Sequence, residues 1–183
     1  QQRDEAKRQQ DKPRSQAIKI LMNSFYGVLG SGGCPFYDPR LASSITMRGH
    51  EIMQLTAEWI KASGYDVIYG DTDSTFVHIA DDVSAEQAWA IGKRLEQDIN
   101  QRWQQRIREQ FDLPCELEIE FETHYERFFM PTIRGSEAGS KKRYAGLIRR
   151  EGNTELVFKG LENVRSDWTQ LAKDFQLELY TRI

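Results

Sequence analysis

Two aspartates separated by one residue, Asp71 and Asp73 in the stretch YGDTDS, mark the first place in this sequence where chemistry concentrates. Residues two apart on extended backbone point to the same side, which brings the carboxylates within bridging distance of one cation. Two anions held that close repel unless a cation lies between them, and hard oxygen donors of this kind suit Mg²⁺ or Mn²⁺. The β-branched and aromatic residues of DVIY and STFVHI on either side predict a hairpin that holds the tip rigidly. The alternative is a solvated turn, since Asp is a common turn former.

A second constellation lies in KILMNSFYG. On an α-helix with about 100° per residue, taking Lys19 as zero, Asn23 falls near about 40° and Tyr26 near about −20°. A cation, an amide and a phenol thus share one stripe, which could hold a triphosphate or could be a solvated face. Ile18, Ile20, Leu21, Phe25 and Val28 lie on the opposite side and form the face expected to be buried. A third feature is the stretch from Arg134 to Arg150, with six basic residues and one acidic residue, Glu137. It contains Lys141, Lys142, Arg143 and Tyr144, a basic run with an aromatic that suits a nucleic-acid backbone. Arg149 and Arg150 read as ordinary surface charges. Together the three features meet the needs of nucleotidyl transfer: hold a nucleotide, neutralise the phosphorus centre with metal, grip a strand.

The elements that must position these residues follow from pattern. Pro13 with Ser15 predicts a helix restarting near Arg14 and running to Leu29, broken by the glycines of GVLGSGGCPFYDP. Ile45, Ile52, Leu55, Trp59 and Ile60 predict a long amphipathic helix from Arg40 to about Ser63, stopped by Gly64. After the hairpin, residues 84–110 read as helix, and Cys115 to Met130 as one strand of period 2, with Glu116, Glu118, Glu120 and Glu122 on its solvated face. RYAGLI and TELVFKG form two more strands around the turn EGN, and a helix over 168–182 closes the chain. The expected class is α+β, an antiparallel sheet built from hairpins with packed helices.

The 183 residues are 39% hydrophobic and 29% charged with a net charge of −3, which suits a soluble globular protein and gives a local basic patch on an acidic chain. No apolar run is long enough to span a bilayer, so no membrane partner is expected. Cys34 and Cys115 belong to no CxxC pair, which argues against a disulfide framework or zinc knuckle and makes a reducing, cytoplasmic setting the default. His50, His78 and His124 have no ligand spacing, and Thr72 and Ser74 are expected to shape the turn. Both ends lie within helical patterns, so the chain reads as a piece of a larger protein.

KILMNSFYG, YGDTDS and KKRY stand in the order in which family B DNA polymerases carry their Kx3NSxYG, YGDTDS and KKRY motifs, and KGLENVRSDW resembles the segment leading from palm to thumb. The sequence resembles that family from about Lys12 onward, and most closely its bacterial members. The resemblance implies a template-directed DNA polymerase of replication or repair, adding dNTPs to a primer 3′-OH by a two-metal mechanism. Residues 1–38 would be the C-terminal part of the fingers with its second helix, 39–160 palm, and 161–183 the start of the thumb. Lys19 and Asn23 would face the dNTP phosphates, and Tyr26 with Gly27 the nascent base pair. Asp73 would be the principal ligand of Mg²⁺ (or Mn²⁺), with Asp71 as helper. Lys141, Lys142, Arg143 and Tyr144 would contact primer–template DNA without reading sequence.

The family's DxxSLYPS motif, whose Asp supplies the second bridging carboxylate, is absent from these residues. The 183 residues alone are therefore expected to bind Mg²⁺ weakly and not to polymerise, and to work with the exonuclease domain, the rest of palm and fingers, the thumb and a sliding clamp in the bacterial cytoplasm at the nucleoid. The competing readings are a noncatalytic duplex-DNA-binding module derived from a polymerase, and a metal-dependent nuclease or cyclase. The last accounts for YGDTDS but not for the helix stripe. Glu122 is expected to stay away from the metals.

Overall fold

The computed structural model describes residues 2–71, 73–132, 142–150 and 152–182. Thr72, Arg134, Glu137 and Lys141 therefore lie outside the described residues. The chain divides into two compact units, the first ending at Leu55 and the second beginning at Thr56.

In the first unit α1 (Gln2–Arg8) and α2 (Lys12–Leu29) are separated by a break at Asp11. The Asp11 carboxylate caps α2 by accepting from the Arg14 N–H at 3.0 Å, and Pro13 sits in the first turn, where its missing N–H leaves no bond unmade. Ala6 of α1 is buried. The apolar face of α2 is not: Ile20, Leu21, Val28 and above all Phe25, at 69%, are exposed, and Ile18 alone of that face is half-buried. This corrects the expectation that the face packs. An apolar stripe shows which side of a helix gains from cover, and the described residues supply none. α3 (Pro39–Ala62) begins in this unit.

The second unit is built on α4 (Ala85–Phe111), which starts at a Ser84–Gln87 capping box and ends at Asp112 in the left-handed region. Ile99 and Trp103 of α4 are buried; the Trp103 indole N–H donates to buried Thr56 Oγ1 at 3.0 Å, and its ring lies 4.9 Å from Trp59. α4 also carries the segment over residues 113–124, where the expected single strand from Cys115 to Met130 is corrected. The alternation is there, with the four glutamates exposed and Cys115, Leu117, Ile119 and Phe121 half-buried. A neighbouring strand is not, among the described residues. Asn100 Nδ2 donates to the Ile119 carbonyl and Asn100 Oδ1 accepts from the Ile119 N–H, both at 2.8 Å, while Glu96 accepts from the Phe121 N–H at 2.6 Å. Helix side chains thus take the bonds a neighbouring strand would have made.

Regular strand begins only at β3 (Tyr125–Phe129). The hairpin of β1 (Asp66–Gly70) and β2 (Thr75–His78) is antiparallel, pairing Gly70 with Thr75 across the turn. A second antiparallel sheet has the order β3–β4–β5, with β4 (Tyr144–Arg150) and β5 (Asn153–Lys159) joined through Gly152. The α+β class holds, but the strands form two sheets rather than one. They meet through rings: Phe76 of β2 lies 5.3 Å from Tyr69, 5.0 Å from Phe128 and 5.2 Å from Tyr144. Gly146 admits the Tyr125 ring, which a Cβ there would meet at 2.2 Å. After a short 3-10 turn at Glu162–Val164, α5 (Gln170–Arg182) sets Tyr180 against Phe129 and Phe158.

Removing the Asn100 amide leaves two half-buried backbone groups of Ile119 unpaired. Asn100→Ala is expected to cost about 2 kcal/mol locally, read as roughly 30-fold faster amide exchange at Ile119 with the β4–β5 amides unchanged.

Candidate active site

The acid turn is closed by the Asp71 N–H donating to the Ser74 carbonyl at 2.9 Å, and the Ser74 hydroxyl donates to Asp73 Oδ1 at 3.3 Å. Asp71 is half-buried and Asp73 is exposed. The Lys142 ammonium lies 3.7 Å from Asp71 Oδ1, with side-chain exposures of 66% and 26%. At that exposure the pair contributes under about 1 kcal/mol, so it reports complementary charge rather than a rigid tie.

The backbone at Lys142 is held more firmly than its side chain. Its N–H donates to the Tyr69 hydroxyl at 2.7 Å, its φ is +62°, and its carbonyl lies where a Cβ on Gly160 would sit, at 2.1 Å. Arg143 and Tyr144 turn elsewhere. Arg143 pairs with Glu162, whose other oxygen accepts from Gln176 Nε2 at 2.7 Å, while Gln176 Oε1 accepts from the Asn163 N–H at 2.7 Å. Tyr144 joins the rings around Phe76; burial, then the neighbouring Tyr125, pushes its phenol up to about 12. Arg149 donates to Glu126 at 2.6 Å, holding that carboxyl below its ordinary range, and Arg150 lies 3.8 Å from Glu155. Both behave as the surface charges expected of them.

In the first unit Lys19 and Asn23 are exposed, and their side chains make no hydrogen bond or ion pair among the described residues. Tyr26 is tied: its hydroxyl lies 2.8 Å from Thr46 Oγ1. Because Thr46 donates its own proton to the Ala42 carbonyl at 3.0 Å, Tyr26 is the donor of that bond. Around Gly27 the space is open: apart from the adjoining backbone of its own helix, nothing among the described residues comes within 4 Å of a Cβ built there.

Among the described residues no three His, Cys, Asp or Glu side chains gather to hold a metal. Two carboxylates on one turn still fit Mg²⁺, which commonly takes one or two protein carboxylates and completes its shell with water and phosphate oxygens. No helix among the described residues is long and apolar enough to cross a membrane.

The family model described as DNA polymerase family B matches residues 1–183. The chain belongs to that family. It is 61% identical to DNA polymerase II of Escherichia coli (strain K12) over 181 residues, 99% of this chain and 23% of that protein. It is also 35% identical over 170 residues to DNA polymerase 1 of Pyrococcus abyssi, covering 93% of this chain and 19% of the relative. The solved structure of the family B DNA polymerase from the archaeon Pyrobaculum calidifontis superposes with a TM-score of 0.55 at 32% identity, over 91% of this chain and 17% of that one. The chain thus spans about a quarter or less of the length of these relatives, and the bacterial resemblance read from the motifs agrees with the E. coli match.

Tyr69, Gly160 and Glu162 are the residues that motif reading left unassigned. Tyr69 lies within YGDTDS, and Gly160 and Glu162 within KGLENVRSDW, without a role of their own there, and a glycine closing a strand is the one available signal of a close backbone approach.

A phenol whose ionisation is pushed upward keeps its proton longer folded than unfolded, so stability is unaffected below pH 10 and falls as pH rises from 10 toward 12. Tyr144→Phe is expected to flatten that alkaline limb in a pH series of urea unfolding curves.

Proposed function

We propose that this chain is the fingers-to-palm portion of a DNA-directed DNA polymerase, with residues 1–38 in the fingers, 39–160 in the palm and 161–183 opening the thumb. The observation that carries the reading is the approach of Lys142 to Asp71, with the Lys142 N–H bonded to Tyr69: a contact spanning 73 positions that brings the basic motif onto the acidic one.

On this reading Lys19 and Asn23 bind the triphosphate of the incoming dNTP, for which their unpaired side chains leave all donors available. Tyr26, oriented by Thr46, and Gly27 lie against the nascent base pair. Asp73 and Asp71 hold divalent cation, Mg²⁺ fitting best. Bound there, the cation supplies charge neutralisation at the reacting phosphate and activates the primer 3′-hydroxyl. A two-metal arrangement takes its second bridging carboxylate from a DxxSLYPS motif outside these residues, so the 183 residues alone do not extend a primer. Lys142, with Lys141, contacts the duplex backbone; Arg143 and Tyr144 support that contact from Glu162 and from the ring cluster. The remaining polymerase domains and a sliding clamp complete the partners, in a bacterial cytoplasm at the nucleoid.

In the intact polymerase carrying this chain, Asp73→Asn is expected to slow primer extension on the order of 10³-fold, several kcal/mol of transition-state charge stabilisation. Extension within a few-fold of normal overturns the catalytic role and favours a noncatalytic duplex-binding module. Lys19→Ala is expected to raise the apparent KM for dNTP about 10-fold, the loss of one charge-assisted bond, with duplex affinity nearly unchanged. An effect confined to duplex affinity returns Lys19 to an ordinary solvated face.

A further inference from the structure

We infer that Tyr69 and Gly160 are positioning residues that fix Lys142 in a left-handed backbone conformation and so aim its ammonium at the acid turn. The inference rests on the polymerase reading for what Lys142 then does, and on three observations for the clamp itself. Lys142 is one of only three non-glycine residues with positive φ among the described residues, at +62°, a region that L side chains avoid because Cβ crowds the carbonyl. Such a conformation persists where the surroundings over-determine it.

Here they do so from both sides. The Tyr69 hydroxyl accepts the Lys142 N–H at 2.7 Å, and Tyr69 is itself the first residue of YGDTDS, so the strand bearing the acidic turn carries the group that captures the lysine. On the carbonyl side Gly160, with φ +62°, lets the Lys142 oxygen into space that any Cβ would occupy at 2.1 Å. Arg143, next in sequence, is anchored on Glu162, two residues beyond Gly160, so KKRY and KGLEN are joined at adjacent positions. The result is a register: the hydroxyl of β1 sets where the ammonium of Lys142 stands relative to Asp71, 3.7 Å away. A long lysine side chain on unconstrained backbone would sample many positions; the clamp removes the backbone's share of that freedom before DNA arrives.

Tyr69→Phe removes the hydroxyl and keeps the ring that packs 5.3 Å from Phe76. In the intact polymerase, Lys142→Ala is expected to weaken primer–template affinity and flatten the log–log salt slope by about one unit. Tyr69→Phe is expected to weaken it about 3- to 10-fold, to flatten the slope in the same sense, and to add nothing in the Lys142→Ala background, because both changes remove one contact. It also speeds amide exchange at Lys142. Gly160→Ala is expected to follow Tyr69→Phe in affinity and slope, and the Tyr69 variant decides the matter where Gly160→Ala fails to fold. Tyr69→Phe within twofold of the unsubstituted polymerase, or a loss fully additive with Lys142→Ala, overturns the clamp while leaving the polymerase reading intact. Lys142→Ala without effect on duplex affinity overturns the duplex role of Lys142 itself, and the inference with it.

Discussion

The packing of one ring, Phe76, joins the acidic hairpin of the second unit to its three-stranded sheet. The hairpin that ends in YGDTDS has strands of five and four residues, and a two-stranded ribbon of that size is marginal alone in water. Phe76 supplies what it lacks, lying 5.0 to 5.3 Å from Phe128, Tyr144 and Tyr69 and stacking at 6.1 Å on Tyr125. Each such pair contributes about 0.5–1.5 kcal/mol beyond the area it buries. Two of its partners come from β3 and one, Tyr144, is the first residue of β4, so this cluster attaches the acidic turn to the end of KKRY. The approach of Lys142 to Asp71 is a consequence of that attachment.

The three described residues of KKRY divide the labour, and the turn at Lys142, with φ +62°, is where they part. Tyr144 goes into the ring cluster, where burial keeps its phenol neutral well past its ordinary range. Arg143 goes to Glu162, and through Gln176 to the amide of Asn163, tying the motif to the 3-10 turn and to the middle of α5. Lys142 is left with a fixed backbone and a 66% exposed side chain. A bidentate-capable guanidinium serves as the anchor and a flexible ammonium as the free charge, the roles their hydration and geometry suit.

Sequence pattern reached the helix bounds and the hairpin whose turn carries Asp71 and Asp73 because hairpin and helix signals are local. It failed where the answer depends on a partner. The alternation from Cys115 to Phe121 states which side chains face inward; whether a strand or an asparagine takes the backbone bonds is decided by Asn100, and no period in the strand announces that. The apolar stripe of α2 likewise states a demand for cover without stating what meets it. Composition also hid a charge: KKRY reads as a uniform basic patch until Glu162 claims Arg143. The left-handed Lys142 left no trace of its own, and only Gly160 hinted at it.

The two units also use their polar residues differently. In the second, the residues around the turn do structural duty as well: Tyr69 packs and accepts a hydrogen bond, Arg143 anchors, Tyr144 fills the cluster. In α2, Lys19 and Asn23 hold nothing among the described residues, and Gly27 stands within an α-helix although open space surrounds it. Even in the last turn of a helix a glycine gives up part of the roughly 1 kcal/mol that separates it from alanine, and among the described residues nothing packs closely enough against Gly27 to require it. Residues that weaken or ignore their own helix are accounted for by what approaches it, and an unpaired cation, an unpaired amide and a bare stretch of backbone together suit an anionic ligand carrying a flat group that must come close. That argument uses the helix alone and owes nothing to the acidic turn, which makes the stripe an independent support for the nucleotide-binding part of the proposal.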